Sequence, residues 1–492
     1  MSRVLFVTSE AYPLVKTGGL ADVSASLPAA LRALGHDVRV LLPAYPLTQA
    51  PASHHAARFS VGRYAVDLWQ TTLPDTGVPL WLMACPELFD RPGNPYLDAH
   101  GVDWPDNATR FDLLCRVAAR IALRQAGLDW QPELVHANDW QAGLTPVHLA
   151  NQPYRPPVVF TVHNLAYQGI FDRPTFDALG LAPALWHPDR LEYYGRFSFL
   201  KAGLVYGDWL TTVSPGYARE ICAPEGGMGL DGVLRARSDR LEGILNGIDT
   251  RVWSPEDDPY LPAQYSARHP GDKRRCRYDL AEALGFGHSD APMAGFIGRL
   301  VAQKGIDWLI EALPAIIQRG VRVVVLGDGE ARYTEPLRQL AAEHPRQLAV
   351  ILGYHEPWAH RVTAGSDLLL MPSRYEPCGL NQLYAMRYGT VPVVHGVGGL
   401  ADTVRDPDRS DPATANGFVF TEATSAALLT TLDRALVWFQ RPSDWRRLRY
   451  NGMTGDYSWT MRARAYDTVY RQALADRPRP GNTHPEAIAA GS

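Results

Sequence analysis

Short apolar, β-branched runs recur through the first half of the chain, at residues 4–8, 38–42, 134–137, 158–162, 210–213 and 241–245. A second series follows at 293–297, 322–326, 349–352, 368–371 and 391–394, and longer amphipathic stretches separate the runs within each series. Runs of this length with little alternation suit strands buried on both faces, and their alternation with helices predicts parallel sheets covered on both sides. Residues 249–289, polar and rich in Pro, Asp and Arg, divide the two series and predict a linker with the entry to a second domain. The first half also carries an insertion, residues 50–107, punctuated by PDTG and RPGNP. It reads as turn-rich decoration of a ligand crevice at the strand ends. From Asp476 the chain turns Pro- and Gly-rich (DRPRPGN) and reads as disordered.

Composition narrows the class. A chain of 492 residues exceeds one ordinary core and suits two large α/β domains. A net charge of −4 gives no electrostatic reason to expect nucleic acid or an acidic membrane as partner. The short basic clusters at 273–277 and 446–449 read as solvated helix faces. No apolar run approaches the roughly 18 residues that a membrane span needs, and no leader is visible ahead of the first strand. The cysteines Cys85, Cys115, Cys222, Cys276 and Cys378 are odd in number and scattered, without metal-ligand spacing, so a reduced cytoplasm is the expected compartment.

Candidate chemistry begins with a repeated theme, GGLADV at residues 18–23 and GGLADTV at 398–404. Each copy lies between an apolar run and a helix-compatible stretch, so each reads as strand, glycine-rich loop and helix start. Glycine lets backbone N–H groups approach an anion, and a helix N-terminus adds partial positive charge. Two such loops predict two doubly wound domains sharing a phosphate-bearing ligand.

In open α/β sheets the ligand lies beyond the carboxyl ends of the strands, so polar residues there carry most weight. After the first strand, SEAYPLVKTGGLADV sets Lys16 and Asp22 on either side of the double glycine. Lys16 suits a phosphate, while Asp22 is either a hydroxyl acceptor or a first-turn helix acid. VHANDW brings Asp139 to a strand end, and VFTVHN brings His163 and Asn164 to the next. LNGID supplies Asn246, as a ligand contact or as part of a turn. GFIGRLVAQKG places Arg299 and Lys304 at one strand end, where two cations answer a diphosphate better than a solvated loop requires. PSRYEPCGLN puts Glu376 in a turn whose Pro377 and Gly379 precede a helix, with the N–H groups of Leu380 and Asn381 facing the same crevice. Cys378 has no histidine in its motif and reads as small and structural. Gly327 and Gly329 lack the rest of a dinucleotide fingerprint, and Asp406 and Asp408 read as a solvated loop rather than a metal pair.

These residues fall in ordered motifs: SEAYPLVKTGGLADV, DRPGNPY, HANDWQAGL, FTVHNLAYQG, TTVSPGYARE, LNGID with WSPEDD, GRLVAQKG, LGYHE, PSRYEPCGLNQLYAMRYGTVPVV, GGLADTV and YSWTMRARAYDTVY. Through them the chain resembles bacterial glycogen synthases and the closely similar plant starch synthases, from its first strand to about Leu474. The resemblance implies an α/β GT-B arrangement of two Rossmann-like doubly wound domains facing a deep interdomain cleft. It sets them at residues 1–248 and 249–456, with a last helix, 457–475, crossing back to the first domain and a tail at 476–492. It implies transfer of glucose from ADP-glucose to the nonreducing end of an α-1,4-glucan such as glycogen, with retention and with neither metal nor cofactor. By motif position, Lys16 and Gly19 approach the donor phosphates, and Arg299 and Lys304 stabilise the leaving diphosphate. Asp22 and Asn246 contact the nucleoside and Tyr354 packs on the adenine; Asp139, His163 and Glu376 hold the glucose, and Tyr96 falls where the family takes acceptor chains. The wider GT-B pattern of a second glutamate eight positions after the first is incomplete, since Tyr384 stands there, as is usual in this family. A front-face mechanism, in which the leaving phosphate helps deprotonate the acceptor hydroxyl, is therefore the expectation. Asn381 and Trp104 depart from the family's usual Thr and Tyr, and Trp140 is the one of thirteen tryptophans expected near the cleft. A transferase using UDP-glucose or a small acceptor, or a noncatalytic glucan- or nucleotide-binding homologue, are the alternatives.

Overall fold

The apolar runs become strands, and strand order explains where the polar side chains collect. The computed structural model describes residues 1–46, 48, 53–353 and 355–476. Two units divide it, residues 1–246 together with the chain from Trp459 in the first, and Gly247–Ser458 in the second.

The first unit contains β1 (Arg3–Val7), β2 (Asp37–Pro43), β3 (His54–Val61), β4 (Tyr64–Thr72), β5 (Pro79–Ala84), β6 (Leu134–Asn138), β7 (Val158–Val162), β8 (Ile170–Phe171), β9 (Glu192–Tyr193), β10 (Arg196–Ser198), β11 (Trp209–Thr212) and β12 (Leu241–Gly243). Nine of these form one sheet in the order β12-β11-β7-β6-β1-β2-β5-β4-β3, while β8, β10 and β9 form a small separate one. Neighbours from β12 to β5 pair in parallel; β4 and β3 add antiparallel pairs at the edge. The second unit holds β13 (Met293–Ile297), β14 (Arg322–Gly327), β15 (Leu348–Leu352), β16 (Leu368–Met371), β17 (Val391–His395) and β18 (Phe418–Phe420), in the parallel order β15-β14-β13-β16-β17-β18.

Both sheets reverse direction of growth once. In the first unit the chain builds outward from β1 to β2 and β5, then returns to the other side of β1 with β6. In the second it builds from β13 to β15, then returns beside β13 with β16. The loops leaving the two strands at such a switch point diverge to opposite faces and open a crevice between them. Lys16 and Gly19 follow β1 and Asp139 follows β6; Arg299 and Lys304 follow β13 and Glu376 follows β16.

Only the second part of the insertion at 50–107, from residue 85 onward, is the turn-rich decoration that its composition suggests. The first part forms β3, β4 and β5, which widen the sheet. β3 reads as loop because it is an edge strand, HHAARFSV, in which only Val61 is buried, so its sequence carries little apolar signal. The basic cluster at 273–277 is solvated only in part: Arg274 and Arg275 are exposed, whereas Lys273 is buried, donating from Nζ to Ala364 O at 2.7 Å and Thr390 Oγ1 at 2.7 Å, and Arg277 is buried against Asp367.

The helix Trp459–Ala475 packs in the first unit against the helix Gly19–Ala33 and against β6 and β7. Polar contacts fix its register. His136 on β6 is fully buried between Thr161 Oγ1 (2.6 Å) and Tyr470 Oη (2.7 Å), and His36 Nε2 reaches Asp467 Oδ1 at 3.1 Å. Burial holds the His136 imidazole down at about 3, so it is neutral, with one ring N–H to donate and one nitrogen to accept. Tyr470→Phe leaves one of those nitrogens buried without a partner and should cost about 1–3 kcal/mol. The expected result is a lower urea midpoint, and an unchanged midpoint would show that the phenol contributes nothing to docking.

Candidate active site

In the first unit, β1 delivers the chain into a turn organised by a residue that the sequence reading passed over. Glu10 is 3% exposed, and its carboxylate accepts from Thr17 N (2.6 Å), Thr17 Oγ1 (2.5 Å), Gly18 N (3.2 Å) and Tyr96 Oη (2.5 Å). Four donors meet one buried charge and fix the turn that opens the helix Gly19–Ala33. Across that turn Lys16 Nζ and Asp22 Oδ1 form an ion pair at 2.8 Å, so the structure brings these two together. The second half of the insertion returns to the same place. Arg110, buried, donates to Leu88 O, Pro95 O and Asn107 Oδ1, and Asn107 Nδ2 donates to Tyr96 O. The loop thus points the Tyr96 phenol into the Glu10 carboxylate and Ser9 Oγ (2.8 Å), beside the rings of Phe111 and Trp140.

Asp139 leaves β6 with φ +56°, a left-handed backbone, and caps the short 3-10 turn Trp140–Ala142. Its Oδ1 accepts the His163 N–H at 2.7 Å. Burial raises its carboxyl to about 7, the nearby Glu10 charge adds to the rise, and backbone N–H groups of His163 and Asn164 oppose it. Burial also lowers the His163 imidazole to about 3; the ring is neutral and its Nε2–H donates to Asn138 Oδ1 at 3.0 Å. Asn138 in turn donates to Val7 O on β1, which ties the two strands at the switch point. Asn164 Oδ1 accepts from Ala166 N, shaping the next loop. Asn246 is buried at 5% exposure and its Oδ1 has no hydrogen-bond partner among the described residues.

In the second unit, Arg299 is exposed just past β13, and Lys304 reaches across to the β16 loop, its Nζ 2.6 Å from Glu376 Oε2. Glu376 is buried, and Ser373 Oγ donates to the same oxygen at 2.8 Å. Both bonds land on Oε2, and Oε1 carries none among the described residues. Past Glu376, Gly379 has φ +71°, which turns the chain into the helix Asn381–Arg387; Asn381 Nδ2 donates to Ile297 O and stitches that helix start to the end of β13. Cys378 is buried beneath Gly399, where a Cβ would fall 2.2 Å from Cys378 O. The second GGLAD copy therefore supports the Glu376 turn from below, and Gly399 N donates to Glu376 O at 3.0 Å. Leu380 precedes the helix as its cap, and Tyr354 lies outside the described residues.

Two minor readings resolve in structural terms. A Cβ on Gly327 would lie 1.8 Å from Gly298 O, and one on Gly329 2.2 Å from Leu300 O, so the bare GxG lets two backbones touch. Asp406 is not in a solvated loop; it is 2% exposed, paired to Arg434 at 2.7 Å, and accepts from Val419 N. Among the described residues no group of three His, Cys, Asp or Glu could hold a metal ion, and no helix is long and apolar enough to cross a membrane.

Known proteins resemble this chain along most of its length. The starch synthase catalytic domain model matches residues 3–236, and the model for glycosyl transferases group 1 matches 291–437. The glycogen synthase of Marinobacter nauticus is 55% identical over 97% of this chain and 99% of its own length, and that of Cellvibrio japonicus 50% identical over 96% and 99%. The catalytic domain of starch synthase IV from Arabidopsis thaliana, solved with ADP and acarbose, superposes with a TM-score of 0.87 at 32% identity, covering 96% of this chain and 99% of that one.

The raised carboxyl at Asp139 has a measurable consequence. Its folded value, about 7, exceeds the unfolded value of 3.8, so the folded state binds the extra proton between them, and the associated stability is complete below the lower value and lost as pH rises through 7. Asp139→Asn removes that loss. The variant should gain on the wild type by up to about 4 kcal/mol between pH 4 and pH 8 in denaturant melts, whereas a difference that stays flat with pH would contradict a buried, proton-binding carboxyl.

Proposed function

The chain belongs to the glycogen and starch synthase family, and we propose that it transfers glucose from ADP-glucose to the nonreducing end of an α-1,4-glucan with retention of configuration. The observation that carries the reading is the Lys304–Glu376 contact at 2.6 Å, formed by the two loops that leave β13 and β16 at the switch point. Breaking a glycosyl diphosphate builds negative charge on the leaving oxygens and positive charge at the anomeric carbon. Arg299 and Lys304 supply fixed cations for the first, where preorganised charge is worth most. Glu376 offers its Oε1 to the glucose hydroxyls, its Oε2 being held by Lys304 and Ser373.

From the first unit, Lys16 and Gly19 approach the donor phosphates, and Asp22 and Asn246 the nucleoside. The unpartnered Oδ1 of Asn246 is the kind of buried acceptor that a ligand hydroxyl satisfies. Asp139 and neutral His163 hold glucose hydroxyls, and a carboxyl near 7 can both accept and donate there. Asn164 shapes the loop beside them. Tyr354 packs on the adenine, and the turn of Cys378, Gly379, Leu380 and Asn381 offers helix-start N–H groups to the diphosphate. Tyr96 serves the acceptor side through its ring and loop, since its hydroxyl is engaged by Glu10 and Ser9. The leaving phosphate then takes the acceptor proton on the same face, which accounts for retention without a second carboxylate. Glucan and nucleotide sugar are the partners, neither nucleic acid nor membrane being required, and the absence of a disulfide among the described cysteines fits a reducing cytoplasm.

Release of ADP from ADP-glucose in the presence of glycogen tests the reaction, and a preference for UDP-glucose would overturn the donor assignment. Lys304→Ala and Glu376→Ala should each lower kcat by about 10³-fold or more, because they remove charge placed for the transition state. The circular dichroism of both variants should match the wild type. Near-normal turnover in either would contradict the site.

A further inference from the structure

The two loops that carry Lys304 and Glu376 are joined by a third residue to which neither the comparisons nor the reaction assigns a role. Arg374 lies two positions before Glu376. Its backbone N–H donates to Gln303 O at 2.8 Å, and its guanidinium donates to Ala302 O at 2.7 Å. The same fork grips Asp307 through both carboxylate oxygens, at 2.6 and 2.5 Å, and lies over the Trp308 ring at 4.2 Å. Ala302, Gln303, Asp307 and Trp308 bracket Lys304 on both sides. Between them Gly305, at φ +64°, lets the loops meet backbone to backbone, since a Cβ there would lie 1.9 Å from Pro372 O. On the far side His395 Nδ1 donates to Ser373 O at 2.7 Å and sets its ring edge against Trp308.

We propose that Arg374, acting with Asp307, is a positioning residue that sets the distance between Lys304 and Glu376. A long side chain such as lysine loses its preferred placement easily, and a displacement of about 1 Å in a reacting group can cost about 100-fold in rate. The bidentate fork and the stacked ring restrain the turn from which Lys304 projects. Lysine at position 374 could keep the charge but neither the fork nor the stacking. Asp307 is held below the ordinary carboxylate range by Arg374, in keeping with a permanent ion pair.

This inference rests on the proposed roles of Lys304 and Glu376, and a double-mutant cycle separates the two. In the full chain, kcat, the KM for ADP-glucose and glycogen, and the melting temperature are measured for Arg374→Gln, Arg374→Lys, Lys304→Ala and the pair Arg374→Gln with Lys304→Ala. Arg374→Gln should lower kcat about 100-fold with the KM for glycogen within about threefold of wild type. Arg374→Lys should recover less than a tenth of that loss. Once Lys304 is alanine, adding Arg374→Gln should change kcat by less than about threefold, because residues acting through one another are not additive. A general weakening of the fold would multiply instead, so a full additive loss in the double variant overturns the positioning role. Near-normal activity in Lys304→Ala alone would instead overturn the site reading, and wild-type kcat in Arg374→Gln overturns the clamp while leaving the site intact.

Discussion

Burying a carboxylate at a strand end costs several kcal/mol unless donors meet it, and the loops around both switch points are built to meet three of them. Glu10 is answered by neutral donors: two backbone N–H groups and two hydroxyls converge on it. Glu376 is answered by a cation and a serine on a single oxygen. Asp139 receives only main-chain donors while sitting near the Glu10 charge, and its carboxyl rises to about 7. The three solutions produce three chemical characters: a fixed anion that shapes a turn, a paired anion with one oxygen available, and a carboxyl poised to exchange its proton near neutrality.

The same constraint explains the two GGLAD copies. In the first, Gly18 N–H goes to the Glu10 side chain; in the second, Gly399 N–H goes to the Glu376 backbone carbonyl. Each copy anchors a loop that bears a buried glutamate. They differ in what stands beside them, because Lys16 and Asp22 bridge the first turn, whereas the second is packed against Cys378 so closely that a side chain on Gly399 could not fit. The first carries an ion pair; the second supports the Glu376 turn from beneath.

Central strands were legible because both their faces are buried and their sequences are almost wholly apolar, as in VVFTV of β7. The edge strand β3 was not, since one face and one edge meet solvent and the pattern looks like a loop. Site residues show the same division. Asp139, His163, Arg299, Lys304 and Glu376 stand at the ends of apolar runs, where an α/β sheet places its ligand. Glu10 stands among turn residues, and its meaning depends on Tyr96, which is 86 positions away, just as Lys304 and Glu376 meet across 72. Lys273 misled for the opposite reason: in KRRCR it looks solvated, and only the fold supplies the carbonyl and hydroxyl that let a lysine be buried.

The position eight residues beyond Glu376 argues for the mechanism from packing rather than from chemistry. Tyr384 is buried with its ring 3.8 Å from that of Trp253 at an interplanar angle of 13°, and the other face of Trp253 stacks on His360 at 3.9 Å. His360 Nδ1 in turn contacts Asp258, to which Tyr388 also donates. These residues join the segment entering the second unit, Trp253 to Asp258, to the helices Glu356–Gly365 and Asn381–Arg387. A glutamate in place of Tyr384 would put a charge against the indole face, without the ring that completes the stack, and would be expelled or protonated. The second carboxylate that a wider GT-B pattern provides is thus replaced here by a structural aromatic, as the proposed roles of Arg299, Lys304 and Glu376 require. What the fold gains is an aromatic base packed under the helix Asn381–Arg387, which follows the turn that carries Glu376.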